Sequence, residues 1–220
     1  MTKIAKYEKV LSKKGKAKTH RTIRPRKNYG DPYSYDSIET WVWREFSSSK
    51  SVDVYEFIEK YKDRNFFIGT DSQSYSKSGT CVYTTVLIAH NRFRGGSVIR
   101  YTDRRSFVPF EALSAKLIIE TQRSIEVCQM LEAALMELSS KELDRLCTEA
   151  EAEGRDLNEK EVNIDYTKNI VGVSIDCNRD SIHASGKYKE TLVGMVMGYG
   201  YRAFIKPDAW AASSVADARC

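Results

Sequence analysis

Phe66-Phe67-Ile68-Gly69-Thr70-Asp71-Ser72-Gln73 is the stretch on which the reading of this chain turns. Three apolar residues and a glycine lead into an aspartate where a buried strand would begin to surface, and the small or polar residues behind it can bond an anion or a metal. A core strand has no structural use for that carboxylate. The plain alternative is a strand running into an Asp-Ser turn. The functional reading gains from Glu120, Asp176, Asp208 and Asp217, each beside apolar or small residues where a carboxylate is unexpected. Four separated carboxylates converging on one place would make a magnesium site.

Outward from that stretch, Asn65 to Asp71 reads as a strand, and the polar turn from Ser74 to Gly79 leads into a second, Thr80 to His90, rich in Val, Tyr, Thr and Ile. Arg94-Gly95-Gly96 then feeds a third, Ser97 to Thr102. Glycine-bearing turns between β-rich runs predict an antiparallel meander with Asp71 on its first strand. Upstream, Ile38, Trp41, Val42 and Phe46 recur at helical spacing from Ser37, and after Ser47-Ser48-Ser49 a second helix carries Val54, Phe57, Ile58 and Tyr61.

Pro109 punctuates the chain ahead of a long helix, Phe110 to Leu138. At 100° per residue Leu113, Leu117, Ser124, Val127, Cys128, Leu131, Leu135 and Leu138 form one stripe, and Glu120 falls inside it. A glutamate there is neutralised by an Arg or Lys, sits at the solvent edge, or binds a cation, because a buried unpaired carboxylate costs several kcal/mol.

Residues 139–168 are strongly charged and read as an inserted helical excursion with Gly154 as a helix stop. Ile170 to Asp176 repeats the apolar run ending in aspartate. A helix over Lys187 to Met197 stops at Gly198-Tyr199-Gly200. Tyr201 to Lys206 reads as a strand, Pro207-Asp208 breaks it, and Ala209 begins a last short helix. On that helix Trp210, Ser213, Ser214 and Asp217 share a face, and its alanines and serines allow close approach to a sheet. Asp208 has an ordinary alternative use, capping that helix through the amides of Trp210 or Ala211.

At 220 residues the chain is long enough for one sizeable core with an appendage. No apolar run approaches the ~20 residues that span a bilayer, and the apolar core of a secretory signal is missing, so a cytoplasmic protein without a membrane partner is expected. Five scattered cysteines with no Cys-x-x-Cys pair argue for reduced thiols. His20, His90 and His183 are too few and too dispersed for a zinc site.

The net charge of +5 hides an asymmetry: residues 1–28 hold eleven Lys or Arg against Glu8, a balance of +10, which leaves the remainder at −5. Residues 1–34 therefore read as a flexible basic arm, and 35–220 as the folded domain. Lys13, Lys14, Lys16, Lys18, Arg21, Arg24, Arg26 and Lys27 suit an arm that binds the phosphates of DNA or RNA by counterion release. A solubilising tail, or one bound to an acidic partner protein, is the bland alternative.

The order strand-strand-strand-helix-strand-helix-strand-helix, with its acids, is similar to the ribonuclease H-like fold. More narrowly, Ile68-Gly69-Thr70-Asp71-Ser72-Gln73, Glu120-Thr121, Lys187-Tyr188-Lys189 and the long run Lys206-Pro207-Asp208-Ala209-Trp210-Ala211-Ala212-Ser213-Ser214-Val215-Ala216-Asp217 resemble the YkuK-type family of predicted ribonuclease H-related nucleases. The resemblance covers residues 37–220 apart from the charged excursion. It implies an α/β fold with a five-stranded mixed sheet, three strands antiparallel and two parallel, flanked by helices. It also implies a nuclease site holding two Mg2+ or Mn2+ ions. By matching position Asp71 would bridge the ions, Glu120 and Asp176 would complete one each, and Asp217 would be the fourth ligand, with Asp208 its rival. A nucleic-acid-binding or protein-interaction module that has lost catalysis is the competing expectation.

Overall fold

The computed structural model describes residues 38–220 except 49, 76–77, 92–94 and 107–112. The basic arm, with Lys13 to Lys27, lies outside the described residues. Among the described residues six strands form one sheet: β1 Arg44–Glu45, β2 Asn65–Tyr75, β3 Thr80–Asn91, β4 Gly95–Ser106, β5 Ile170–Ile175 and β6 Ala203–Phe204. Their spatial order is β1-β4-β3-β2-β5-β6. The β2–β3–β4 meander is antiparallel, and β5 and β6 add parallel to β2. The mixed sheet is thus as the sequence predicts, with one strand more.

The extra strand comes from the stretch read as a first helix. Ile38–Thr40 makes a single 3-10 turn, and the chain then extends so that Arg44 and Glu45 pair antiparallel with β4. Trp41 and Trp43 are buried while Val42 between them is 54% exposed, the period of two that an extended chain requires. Trp41 stacks on Tyr101 of β4 with centroids 4.1 Å apart. Burial of two indoles against the sheet outweighs a short helical match. The next helix, α1 (Val54–Lys60), forms where expected, capped by Asp53, whose carboxylate accepts from the amides of Tyr55 and Glu56.

Helix α2 runs from Leu113 to Glu153, past the predicted end at Leu138. Its second half buries little, but Lys141 pairs with Glu137 at 2.6 Å, and Arg145 with Glu142 at 2.9 Å and with Glu149. Helical-spaced ion pairs support exposed helix without a core. Gly154, at φ +65°, ends it as expected. A single turn of helix, α3 (Glu159–Val162), follows with a complete capping box from Asn158 and Glu161. Helix α4 (Lys189–Gly198) buries Leu192 and Val196.

The sheet carries two layers. On one face Phe66, Ile68 and Thr70 of β2 meet the α2 stripe, with Leu117, Val127, Cys128, Leu131 and Leu135 in the core. On the other lies a π-helix, Ala211–Ala216, continued by a 3-10 turn, Asp217–Arg219. Strand β3 is covered on both sides, so Thr80 to Ala89 are buried without alternation. The last helix departs from the α-helix expected there. Its packed face is Ala209, Ala211, Ala212 and Ala216, and Ser214 faces solvent.

Gly69 sets how closely that helix lies. A Cβ built there would stand 2.5 Å from the Ala212 amide nitrogen and 2.8 Å from the Ala211 carbonyl carbon, so backbone packs on backbone. Gly69→Ala should cost about 1–3 kcal/mol, in the range of other overpacked sites, measured by denaturant unfolding. Wild-type stability in that variant would show that the π-helix can retreat freely.

Candidate active site

Parallel pairing of β2 with β5 aligns Thr70 with Ile175, so Asp71 and Asp176 stand side by side, each one residue beyond the last pair. Asp71 is 8% exposed and Glu120 5%. Glu120 reaches the same place from α2, where Ser124, one turn on, ties the helix to β2. The Ser124 hydroxyl lies 2.8 Å from Thr70 Oγ1 and donates to the Glu120 carbonyl at 3.0 Å. Thr70 in turn meets Thr85 of β3 at 3.0 Å. Three hydroxyls thus fix the height at which Glu120 faces the strand ends.

Glu120 takes a hydrogen bond of 2.5 Å from the Ser72 hydroxyl and makes no ion pair among the described residues. The cation closest by in sequence is committed elsewhere: Arg123 is buried, donates to Asp103 at 2.7 Å and lies 4.6 Å from the Tyr83 ring. Lys116, one turn before Glu120, sends its ammonium to the Ser72 carbonyl at 3.4 Å and tempers the acid only in part. Burial, and then the charge of Asp71, push the Glu120 carboxyl up to about 8. Burial and the charges of Asp176 and Asp217 push Asp71 up to about 6. Asp217, exposed on the turn after the π-helix, lies near enough for its charge to act on Asp71.

Asp71, Glu120 and Asp176 share an open cavity of ≈ 310 Å³ with Ser72, Lys116, Asn178 and His183, while Asp217 approaches Asp71 from outside it. Lys206 Nζ lies 2.6 Å from Asp176 Oδ1, an ion pair without an aligned hydrogen bond. Glu120 is thus turned to Ser72 and Asp176 to Lys206. Among the described residues no three Asp, Glu, His or Cys side chains form a group that could hold a metal ion as they stand.

Asp208 stands apart. Its carboxylate is 66% exposed, 3.7 Å from Arg179 Nη2, and faces a second cavity with Arg202, Phe204 and Trp210. It does not cap the last helix either: the π-helix starts beyond Trp210 without a side-chain cap. Lys116 was missed by the sequence reading as a neighbour of the site, although it lies four residues from Glu120, one turn away; Ser124 was read only as part of the stripe that holds Glu120.

A model of the ribonuclease H-like family matches residues 51–220. The chain belongs to the ribonuclease H-like family. No curated protein and no solved structure matched. The match spans every strand from β2 to β6 and all four acids of the cluster, so the ribonuclease H-like fold and the acid-bearing strand ends coincide.

The donors of the four acids are all oxygen, the kind a hard divalent cation takes, and burial together with the neighbouring acids raises the pKa of two of them, Asp71 and Glu120. A carboxyl whose folded pKa stands above its unfolded value contributes stability that is intact below the unfolded value and lost as pH rises through the folded one. In EDTA the unfolding free energy should therefore decline from about pH 4.5 towards pH 8, the interval set by Glu120. Glu120→Gln should flatten that decline and exceed wild type by more than ~1 kcal/mol at pH 9, since one pKa unit corresponds to about 1.4 kcal/mol. A variant weaker than wild type at every pH would make Glu120 a structural hydrogen-bond partner only. Asp208→Asn should change stability by no more than about 0.5 kcal/mol, as for other surface sites; a larger loss in thermal melts would restore a capping role.

Proposed function

We propose that this ribonuclease H-like chain is a nuclease that hydrolyses phosphodiester bonds of DNA or RNA with Mg2+ or Mn2+, two ions being held by Asp71, Glu120, Asp176 and Asp217. The observation that carries the reading is the gathering of Glu120 from α2, Asp176 from the end of β5 and Asp217 from the last turn around Asp71 of β2, with Glu120 and Asp71 both raised in pKa by burial and by neighbouring acids. Within the family, the run from Lys206 to Asp217 supports placing the chain in the YkuK-type branch.

When bound, such a cation pair supplies a nucleophilic water and stabilises the departing oxygen. The chain's own groups do the rest. Asp71, central to the cluster, joins the other three acids electrostatically. Ser72 orients the Glu120 carboxylate, and Lys116 lies over the same strand end as a positive group for substrate phosphate. Lys206 pairs with Asp176, and were that carboxylate to hold a cation its ammonium would be available to a substrate phosphate.

The test is a panel of single-stranded and duplex DNA, RNA, RNA/DNA hybrid and branched junctions incubated with Mn2+. The full chain should cleave at least one member, and Asp71→Asn should lose more than about tenfold of that activity while remaining folded by circular dichroism. Binding without cleavage across the whole panel would favour a module that has kept the fold and lost catalysis. Unfolding of Asp71→Asn would make that aspartate structural.

A further inference from the structure

The π-helix face of the sheet carries a second concentration of charge, of opposite sign. Cross-strand partners share a face, and the register runs Gly69 to Val86 to Arg100 to Arg44 across β2, β3, β4 and β1. Gly69 meets the π-helix, so Arg44 and Arg100 project on that side too. Arg219 joins them from the last turn. Its carbonyl accepts from Thr84, which pairs with Asp71 on the same face, and its guanidinium lies 4.7 Å from the Phe46 ring beside β1.

These cations crowd one another. Burial, then Arg219 and Arg44, hold the Arg100 guanidinium below its usual range. Its Nη1 donates to Thr102 at 3.0 Å, its Nε is buried without a partner, and no described carboxylate pairs with Arg100 or Arg219. Like charges placed opposite each other in a sheet destabilise it. An anion between them would reverse that cost, and the guanidinium fork matches phosphate oxygens.

Position identifies the anion. Arg100 is two strands and two residues from Asp71, about 12 Å at ~4.8 Å per strand and ~3.3 Å per residue. That is three or four nucleotides of one strand at about 3.4 Å of axis each. We propose that Arg100 and Arg219, with Arg44 beside them, form a phosphate subsite in which the first two grip the sugar–phosphate backbone of a nucleic-acid strand a few nucleotides from the acid cluster. The inference rests on the nuclease reading of that cluster.

The experiment measures binding of fluorescent single- and double-stranded oligonucleotides by anisotropy across a salt series, using the full chain in EDTA so that no cleavage competes. Arg100→Gln combined with Arg219→Gln should weaken binding at least tenfold and lower the slope of log affinity against log salt by about 1.4–1.8, the loss of two contacts. The melting temperature should hold or rise, because repulsion has been removed. Arg100→Lys should keep the slope of the wild type and recover part of the affinity. An unchanged slope in the double variant, or weaker binding accompanied by a lower melting temperature, overturns the subsite. A parallel Mn2+ cleavage assay separates the two claims: cleavage by wild type with unaltered binding in the double variant removes the subsite alone. Absence of both cleavage and binding in wild type removes the nuclease reading with it.

Discussion

Two strands lying parallel in one register impose the central difficulty of this molecule. Once Thr70 is set against Ile175, the next residue of each strand is an aspartate, and neither can move away without breaking the pairing that builds the middle of the sheet. The rest of the architecture adds to the difficulty. The hydroxyls of Thr70, Thr85 and Ser124 hold α2 at the height that brings in Glu120, and the backbone contact at Gly69 holds the last helix where Asp217 meets Asp71. Four acids are assembled by the same contacts that make the core.

The core and the polar sites draw on different kinds of signal, which is why they were legible to different degrees. Asp71 and Asp176 stand out because an apolar run ends in a carboxylate, and Glu120 because it breaks an apolar stripe; both are local patterns a sequence displays directly. The tryptophan segment was read as helix because nine residues match a 3.6 period and a period of two almost equally well, and only the partner, Tyr101 sixty residues on, decides between them. The charged half of α2 was read as a separate excursion because periodic burial was the guide, whereas ion pairs maintain that helix. Asp208 was read as a rival fourth ligand or as a cap, the latter on the assumption of a helix beginning at Ala209. The π-helix begins two residues later and leaves Asp208 beside Arg179. The cluster of Arg44, Arg100 and Arg219 was invisible, since it exists only through cross-strand register between segments far apart in the chain.

Acid cluster and arginine cluster are the same physical statement with opposite sign. Each gathers like charges at a cost to the folded state, the acids at the ends of β2 and β5 and the arginines on the π-helix face, and no described carboxylate pairs with Arg100 or Arg219. At the acids the raised Glu120 carboxyl reflects the shortage, and Lys206 makes up part of it at Asp176. Under the proposed function, a nucleic-acid strand with its divalent cations would supply charge to both, phosphates for the arginines and metal for the acids. That complementarity is the reason to regard the two clusters as one functional surface rather than two independent oddities of packing.

The most direct test is a crystal of the full chain grown with Mn2+ and examined by anomalous scattering. The account requires a manganese peak at coordinating distance from the Asp71 carboxylate, shared with at least one of Glu120, Asp176 and Asp217, and Lys206 displaced from Asp176. A saturating Mn2+ concentration that leaves no peak at Asp71, with Lys206 still on Asp176, would contradict it.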